Sequence, residues 1–97
     1  MLEVEVRLAS RVNPASVSRT VERLCRREGL TLTAKTTLAK YPGSVHWHFK
    51  MGKKPGTLEV TWWRPEGRLW FKVAGNRTGA WIEDTVAQLK SQLQRSR

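Results

Sequence analysis

Apolar and polar residues alternate along this chain with two different periods. A period of two, typical of half-buried strands, recurs in five segments, and a period near 3.6, typical of amphipathic helices, recurs in two. The apolar positions of the first strand are Leu2, Val4, Val6 and Leu8. The pattern predicts the element order strand, helix, four strands, helix.

Local capping signals bound the first helix. Asn13-Pro14 supplies a capping side chain followed by proline at the first helical position, and Gly29 can adopt the left-handed conformation that ends a helix. The apolar stripe between them consists of Val17, Val21, Leu24 and Cys25. The last helix is predicted from Trp81 to about Leu93, with residues 94–97 as a frayed tail. Its stripe consists of Ile82, Val86, Leu89 and Leu93.

A second strand is predicted within residues 30–40. Alternation places Leu30, Leu32, Ala34 and Leu38 toward the core, and Thr31, Thr33, Lys35 and Thr37 on the opposite side. The tetrapeptide Tyr41-Pro42-Gly43-Ser44 has proline and glycine at the two central positions, as a type II turn requires. We therefore expect a hairpin between the second and third strands.

The next two hairpins can be aligned by their faces, because a slip of one residue would exchange the core set for the solvent set. The alignment places Val45, Trp47 and Phe49 beside Trp62, Val60 and Leu58, and these beside Leu69, Phe71 and Val73. It requires loops at residues 51–56 and 64–67. On the other face it predicts the rows His46, Thr61, Trp70 and His48, Glu59, Lys72, with Lys50 opposite Thr57 and Trp63 opposite Arg68 as a cation–π pair.

These elements predict an α+β fold in one domain, residues 1–97. Both helices cover one face of a five-stranded antiparallel sheet, in the order β-α-β-β-β-β-α. In element order alone, this resembles one repeat of the TATA-box-binding-protein fold. The place of the first strand in the sheet is left open by the hairpins.

Charge then favours a class of partner. The 97 residues include 18 Lys and Arg against 8 Asp and Glu, a formal net charge of +10. A balance this basic is typical of proteins that bind polyanions. One cysteine, a strand pattern that begins near Met1 and no long apolar run together lead us to expect a cytoplasmic protein with no membrane segment.

The predicted face opposite the helices combines basic and aromatic side chains. We expect it to bind DNA or RNA, largely without sequence specificity, with Trp63 and Trp70 as stacking platforms. The predicted nucleic-acid-binding residues are Lys35, His46, His48, Lys50, Lys53, Lys54, Trp63, Arg68, Trp70 and Lys72. The alternative is a non-catalytic domain that uses the same face to form a homodimer or to bind an acidic protein.

Other chemistry has weaker support. No nucleophile beside a base and no glycine-rich phosphate loop is present, so we predict neither an enzyme nor a cofactor. His46 and His48 have a spacing that can hold zinc with Glu59 as a third ligand, but Cys25 is expected on the core side, and we predict no metal. The first helix also has a stripe of arginines, which is typical of a solvated face and which Glu22 and Glu28 partly neutralise. This stripe consists of Arg19, Arg23, Arg26 and Arg27.

Overall fold

A computed structural model describes residues 2–8, 13–73 and 79–95 of the chain. Its strands are β1 (Leu2–Val6), β2 (Thr31–Thr36), β3 (Ser44–Lys50), β4 (Leu58–Trp63) and β5 (Arg68–Val73). Its helices are α1 (Val17–Arg27) and α2 (Ala80–Arg95), with short 3-10 turns at Pro14–Ser16 and Arg64–Glu66. The predicted element order is confirmed.

All five strands form one antiparallel sheet in the order β1-β5-β4-β3-β2. The predicted α+β class is therefore confirmed. The hairpins join β2 through β5 into neighbours, and β1 takes the free edge beside β5. This placement settles the question that the sequence left open, and it brings two glutamates of β1, Glu3 and Glu5, beside Lys72 and Trp70.

The core lies between the helices and one face of the sheet. The predicted apolar stripes of both helices are buried, as are the inward-facing residues of β3, β4 and β5 except Val45, which is half-buried. Trp47 and Trp62 belong to this core, as the strand alignment predicted, and Trp81 belongs to it as well. Burial of an aromatic side chain contributes several times more stabilising free energy than a surface contact, so these three residues help to hold the helices on the sheet.

The predicted register is confirmed at each central pair. Trp47 lies opposite Val60, and Val60 lies opposite Phe71. The turn before β3 has the predicted type II features, because Gly43 has a φ of +84° and the Ser44 amide donates to the Tyr41 carbonyl at 3.0 Å. The Asn13 side chain accepts a hydrogen bond from the Ala15 amide and so caps the 3-10 turn Pro14–Ser16, which leads into α1. The predicted helix start at Pro14 is therefore a 3-10 turn, and α1 itself begins at Val17.

The prediction for β2 is wrong in part. A β-bulge between Leu32 and Ala34 shifts the pairing with β3 by one residue. A bulge exchanges the faces of every residue beyond it. Leu32, which precedes the bulge and lies opposite Phe49, is 42% exposed instead of buried. Beyond the bulge, Lys35 lies opposite the core residue Trp47. Lys35 therefore belongs to the helix-covered side of the sheet, not to the opposite face.

The second helix is longer than predicted. It contains 16 residues and includes Gln94 and Arg95, which were assigned to the tail, while residues 96 and 97 lie outside the described ranges. At its beginning, Gly79 approaches the β3–β4 loop so closely that an added Cβ would lie 2.1 Å from the Pro55 carbonyl oxygen. Within the described ranges, neither helix combines the length and the apolar character that crossing a membrane requires.

Candidate functional site

We call the sheet face opposite the helices the outer face. Its side chains form the predicted cross-strand rows, with Thr61 between His46 and Trp70, and Glu59 between His48 and Lys72. Because β1 pairs with β5, Glu5 extends the first row and Glu3 extends the second. On β2, Thr36 lies beside His46 and Ala34 lies beside His48, so each of these rows crosses all five strands.

Trp70, which was predicted as an exposed stacking platform, is only 7% exposed. The segment between β2 and β3 folds across the outer face, and the Tyr41 ring packs edge-on against Trp70 with 5.1 Å between ring centroids. On the other side, the Arg68 guanidinium lies 5.0 Å from the centroid of the Trp70 ring. A nucleic-acid base could stack on Trp70 only after Tyr41 moved, so the exposure on which this role depended is absent.

The predicted cation–π pair is also different. Trp63 lies opposite Arg68 as expected, but Arg68 lies over Trp70 instead and forms a two-pronged ion pair with the Glu5 carboxylate. Trp63 packs against Tyr41 at 4.9 Å, and its indole N–H donates to the Pro42 carbonyl at 3.0 Å. These contacts hold the segment before β3 against the sheet, which gives the two tryptophans a structural role.

Charges on the strands of the outer face cancel. The three basic residues Lys50, Arg68 and Lys72 are matched in number by three carboxylates, because Arg68 pairs with Glu5 and Lys72 lies between Glu3 and Glu59. The Lys50 ammonium instead donates to the Thr57 hydroxyl at 3.3 Å. The sequence interpretation left out Glu3 and Glu5, because it could not place β1. The exposed lysines Lys53 and Lys54 lie in the β3–β4 loop, so their positive charges are at the end of the sheet and not on its outer face.

Lys35 has a partner on the helix-covered side. Its ammonium lies 2.6 Å from Glu22, and the indole N–H of the fully buried Trp47 donates to the same carboxylate at 2.9 Å. These two donors hold the pKa of Glu22 below its usual value, with the Lys35 hydrogen bond as the larger cause. Sequence reasoning missed this contact because the bulge in β2 decides the face of Lys35.

The outer face brings together three side chains of types that can bind metal ions. His46 Nε2 lies 3.1 Å from His48 Nε2 and 3.2 Å from Glu59 Oε1, and His48 Nε2 lies 3.9 Å from the same oxygen. His46 Nδ1 is 2.7 Å from the hydroxyl of the buried Thr61. Burial, more than the neighbouring Glu59 charge, sets the pKa of His46, which is lowered and favours the neutral ring.

Cys25 does not join this group. It is buried on the core side of α1, as predicted, and burial raises the pKa of its thiol to about 12. A thiol with this pKa stays protonated at neutral pH and is a poor nucleophile and metal ligand.

The arginine stripe of α1 remains outside the ion pairs of the described residues. Its four members, Arg19, Arg23, Arg26 and Arg27, are all exposed, and among residues 2–8, 13–73 and 79–95 none of them forms a salt bridge. The two glutamates expected to neutralise it have other partners, since Glu22 contacts Lys35 and Glu28 accepts from the Gln92 amide at 3.1 Å. Arg95 of α2 joins Arg23 and Arg27 along an open groove between the helices.

Comparisons with known proteins supply no relative for this chain. It matches no protein-family model, no curated protein and no solved structure. The likeness to a TATA-box-binding-protein repeat therefore stands on element order alone, and functional interpretation depends on the residues themselves.

Proposed function

We propose that this chain binds the phosphate backbone of DNA or RNA through the arginine stripe of α1 and Arg95. The observation that carries the proposal is the set of exposed arginines whose neighbouring carboxylates are engaged elsewhere. Arginine presents a planar fork of donors that matches phosphate oxygens. Guanidinium groups on one helix face that form no salt bridge within the described ranges are thus suited to a polyanion.

The dimensions of the stripe agree with a nucleic-acid backbone. Arg19 and Arg27 are eight positions apart on a helix, which corresponds to about 12 Å along its axis. This length equals the axial rise of roughly three to four phosphates on one strand of a duplex. Four arginines along it provide about one cation per phosphate.

In this proposal the outer face contributes less to nucleic-acid binding than the sequence suggested. Trp70 is covered, the indole N–H of Trp63 is bonded to Pro42, and the strand charges cancel. Binding that depends on phosphates without base stacking carries little sequence information. We therefore expect weak sequence preference and an affinity for single strands that is no higher than the affinity for duplexes.

Salt-dependent binding measures the proposal directly. Fluorescence anisotropy with a labelled duplex, an RNA hairpin and a single strand is recorded between about 50 and 200 mM salt. If the four arginines of the stripe and Arg95 each contact one duplex phosphate, log affinity falls against log salt with a slope of roughly −4.5. Arg23→Gln and Arg27→Gln should each flatten the slope by about 0.9.

Lys72→Gln is the matched control, because it removes the same charge from a position flanked by Glu3 and Glu59. We expect it to leave the slope unchanged. If oligonucleotide affinity fell only in variants of Lys50, Lys53 and Lys54, the binding site would instead lie at the β3–β4 end of the sheet. A wild-type dimer without oligonucleotide binding at low salt would contradict the proposal and favour the assembly domain.

A further inference from the structure

The cluster of His46, His48 and Glu59 has the spacing of a metal site. Zinc forms bonds of about 2.0–2.1 Å to histidine nitrogen and carboxylate oxygen, so two ligands in a tetrahedral site lie roughly 3.3 Å apart. The three ligand atoms here are separated by 3.1, 3.2 and 3.9 Å. One ion could contact all three after small side-chain rotations.

The surroundings of His46 support this arrangement. A metal-binding histidine commonly directs its second ring nitrogen to a hydrogen-bond acceptor, which fixes the tautomer and the ring orientation. The Thr61 hydroxyl lies 2.7 Å from His46 Nδ1 and can accept its N–H. The Nε2 lone pair then points toward His48 and Glu59, where a cation would be stabilised.

The carboxylate is available for an ion. Lys72 stands beside Glu59 in the strand register, yet among the described residues no salt bridge joins these two side chains. Glu3 on the other side of Lys72 offers it an alternative partner. The side chain of His48 is 29% exposed, so an ion bound here remains open to water on one side.

We propose that His46 Nε2, His48 Nε2 and Glu59 Oε1 bind one divalent transition-metal ion, with Zn²⁺ as the best match and water completing its coordination. Two histidines and one carboxylate form the protein ligand set of many zinc sites with an open position. The chain has only these two histidines and one cysteine, which is buried. A competing site built on imidazole or thiolate is therefore not expected.

Titration of the full, tag-free chain with Zn²⁺ by calorimetry, and with Co²⁺ by visible absorption, tests the proposal. We expect one ion per chain, the visible bands of low-coordinate Co²⁺, and displacement of Co²⁺ by Zn²⁺. His48→Asn removes a ligand at a half-buried position and should weaken metal affinity by more than about 100-fold. Removal of a residue that only hydrogen-bonds to a ligand already lowers metal affinity by about 10–100-fold.

Three further variants separate binding from folding. Thr61→Val keeps all three ligands but removes the partner of His46 Nδ1, and it should weaken binding by about 10–100-fold. Lys72→Met removes a positive charge beside Glu59 and should tighten binding, whereas Lys50→Met, one row away, should change it less. The Lys72 effect should shrink at high salt, because added ions screen the charge.

Equal Zn²⁺ affinity in the wild type and His48→Asn would overturn the proposal by placing the ion elsewhere. A wild-type Kd weaker than about 1 mM would do the same and would leave the three residues as a hydrogen-bonded group. The wild-type Co²⁺ spectrum needs no variant, so it decides the question even where a substituted chain does not fold. Neither outcome bears on the α1 arginines, which lie on another element.

Discussion

Replacement of Trp70 by alanine tests the most consequential difference between the sequence interpretation and the structure. An exposed stacking residue can be removed with a change of no more than about 0.5 kcal/mol in the free energy of unfolding. Trp70 is instead 7% exposed beneath Tyr41 and Arg68. Its removal leaves a cavity on the outer face and should destabilise the fold.

The magnitude follows from the burial and the contacts of this side chain. Truncation of a buried tryptophan to alanine costs about 3–5 kcal/mol, and the lost edge-on contact with Tyr41 is part of that cost. We expect about 3 kcal/mol, because Trp70 is covered by single side chains and not by a second layer of secondary structure. Against a total stability of roughly 5–15 kcal/mol, the variant stays folded but is visibly weakened.

Urea denaturation and thermal melting measure the effect. A chain of 97 residues unfolds with an entropy of roughly 0.2 kcal/mol per degree, so a loss of 3 kcal/mol lowers Tm by about 15 °C. Trp70→Phe retains a ring and should lose about 1 kcal/mol, and Trp63→Ala removes a half-buried ring and should fall between these values. A loss below about 0.5 kcal/mol in Trp70→Ala would show that Tyr41 does not cover this ring and would restore its role as a platform.

Two other predictions concern contacts that hold the helices on the sheet. Glu22→Ala should cost about 1–3 kcal/mol because it leaves the buried Trp47 N–H without its acceptor, while Glu22→Gln retains an acceptor and should cost less. Because the pKa of Glu22 is lowered in the folded state, its stabilising effect is present above the unfolded pKa of about 4.3 and is lost as pH falls through the folded pKa. Urea midpoints measured at neutral and acid pH should therefore show a smaller loss of stability in acid for Glu22→Gln than for the wild type. Equal losses in the two proteins would refute the contact. Gly79→Ala should destabilise by at least about 1–3 kcal/mol, because its Cβ would lie 2.1 Å from the Pro55 carbonyl; a melting temperature equal to that of the wild type would contradict this packing.

The sequence determined the features that depend on neighbouring residues. Alternation with a period of two identified the faces of β3, β4 and β5, and the helical stripes identified the buried side of α1 and α2. The hairpins between β3 and β4 and between β4 and β5 have the register predicted from matched faces and loop lengths, because a hairpin of given length allows few pairings. The row that holds His48 beside Glu59 followed directly.

The candidate site was predictable to the same extent. The register placed His46, His48 and Glu59 on one face. It could not predict the 3.1–3.9 Å spacing of their nitrogen and oxygen atoms, because this spacing depends on side-chain rotamers and on the hydrogen bond to Thr61. The arginine stripe of α1 was visible in the sequence. The absence of salt bridges between this stripe and the described residues was not visible, because Glu22 contacts Lys35 and Trp47 and Glu28 contacts Gln92 only in the folded structure.

Only the tertiary structure decided the features that join distant parts of the chain. The position of β1 beside β5 brings Glu3 and Glu5 to the outer face and cancels its charge. The bulge in β2 moves Lys35 to the helix-covered side, and the segment before β3 carries Tyr41 over Trp70. None of these has a local signature, since each arises where packing and charge pairing between remote segments outweigh the alternation of a single strand.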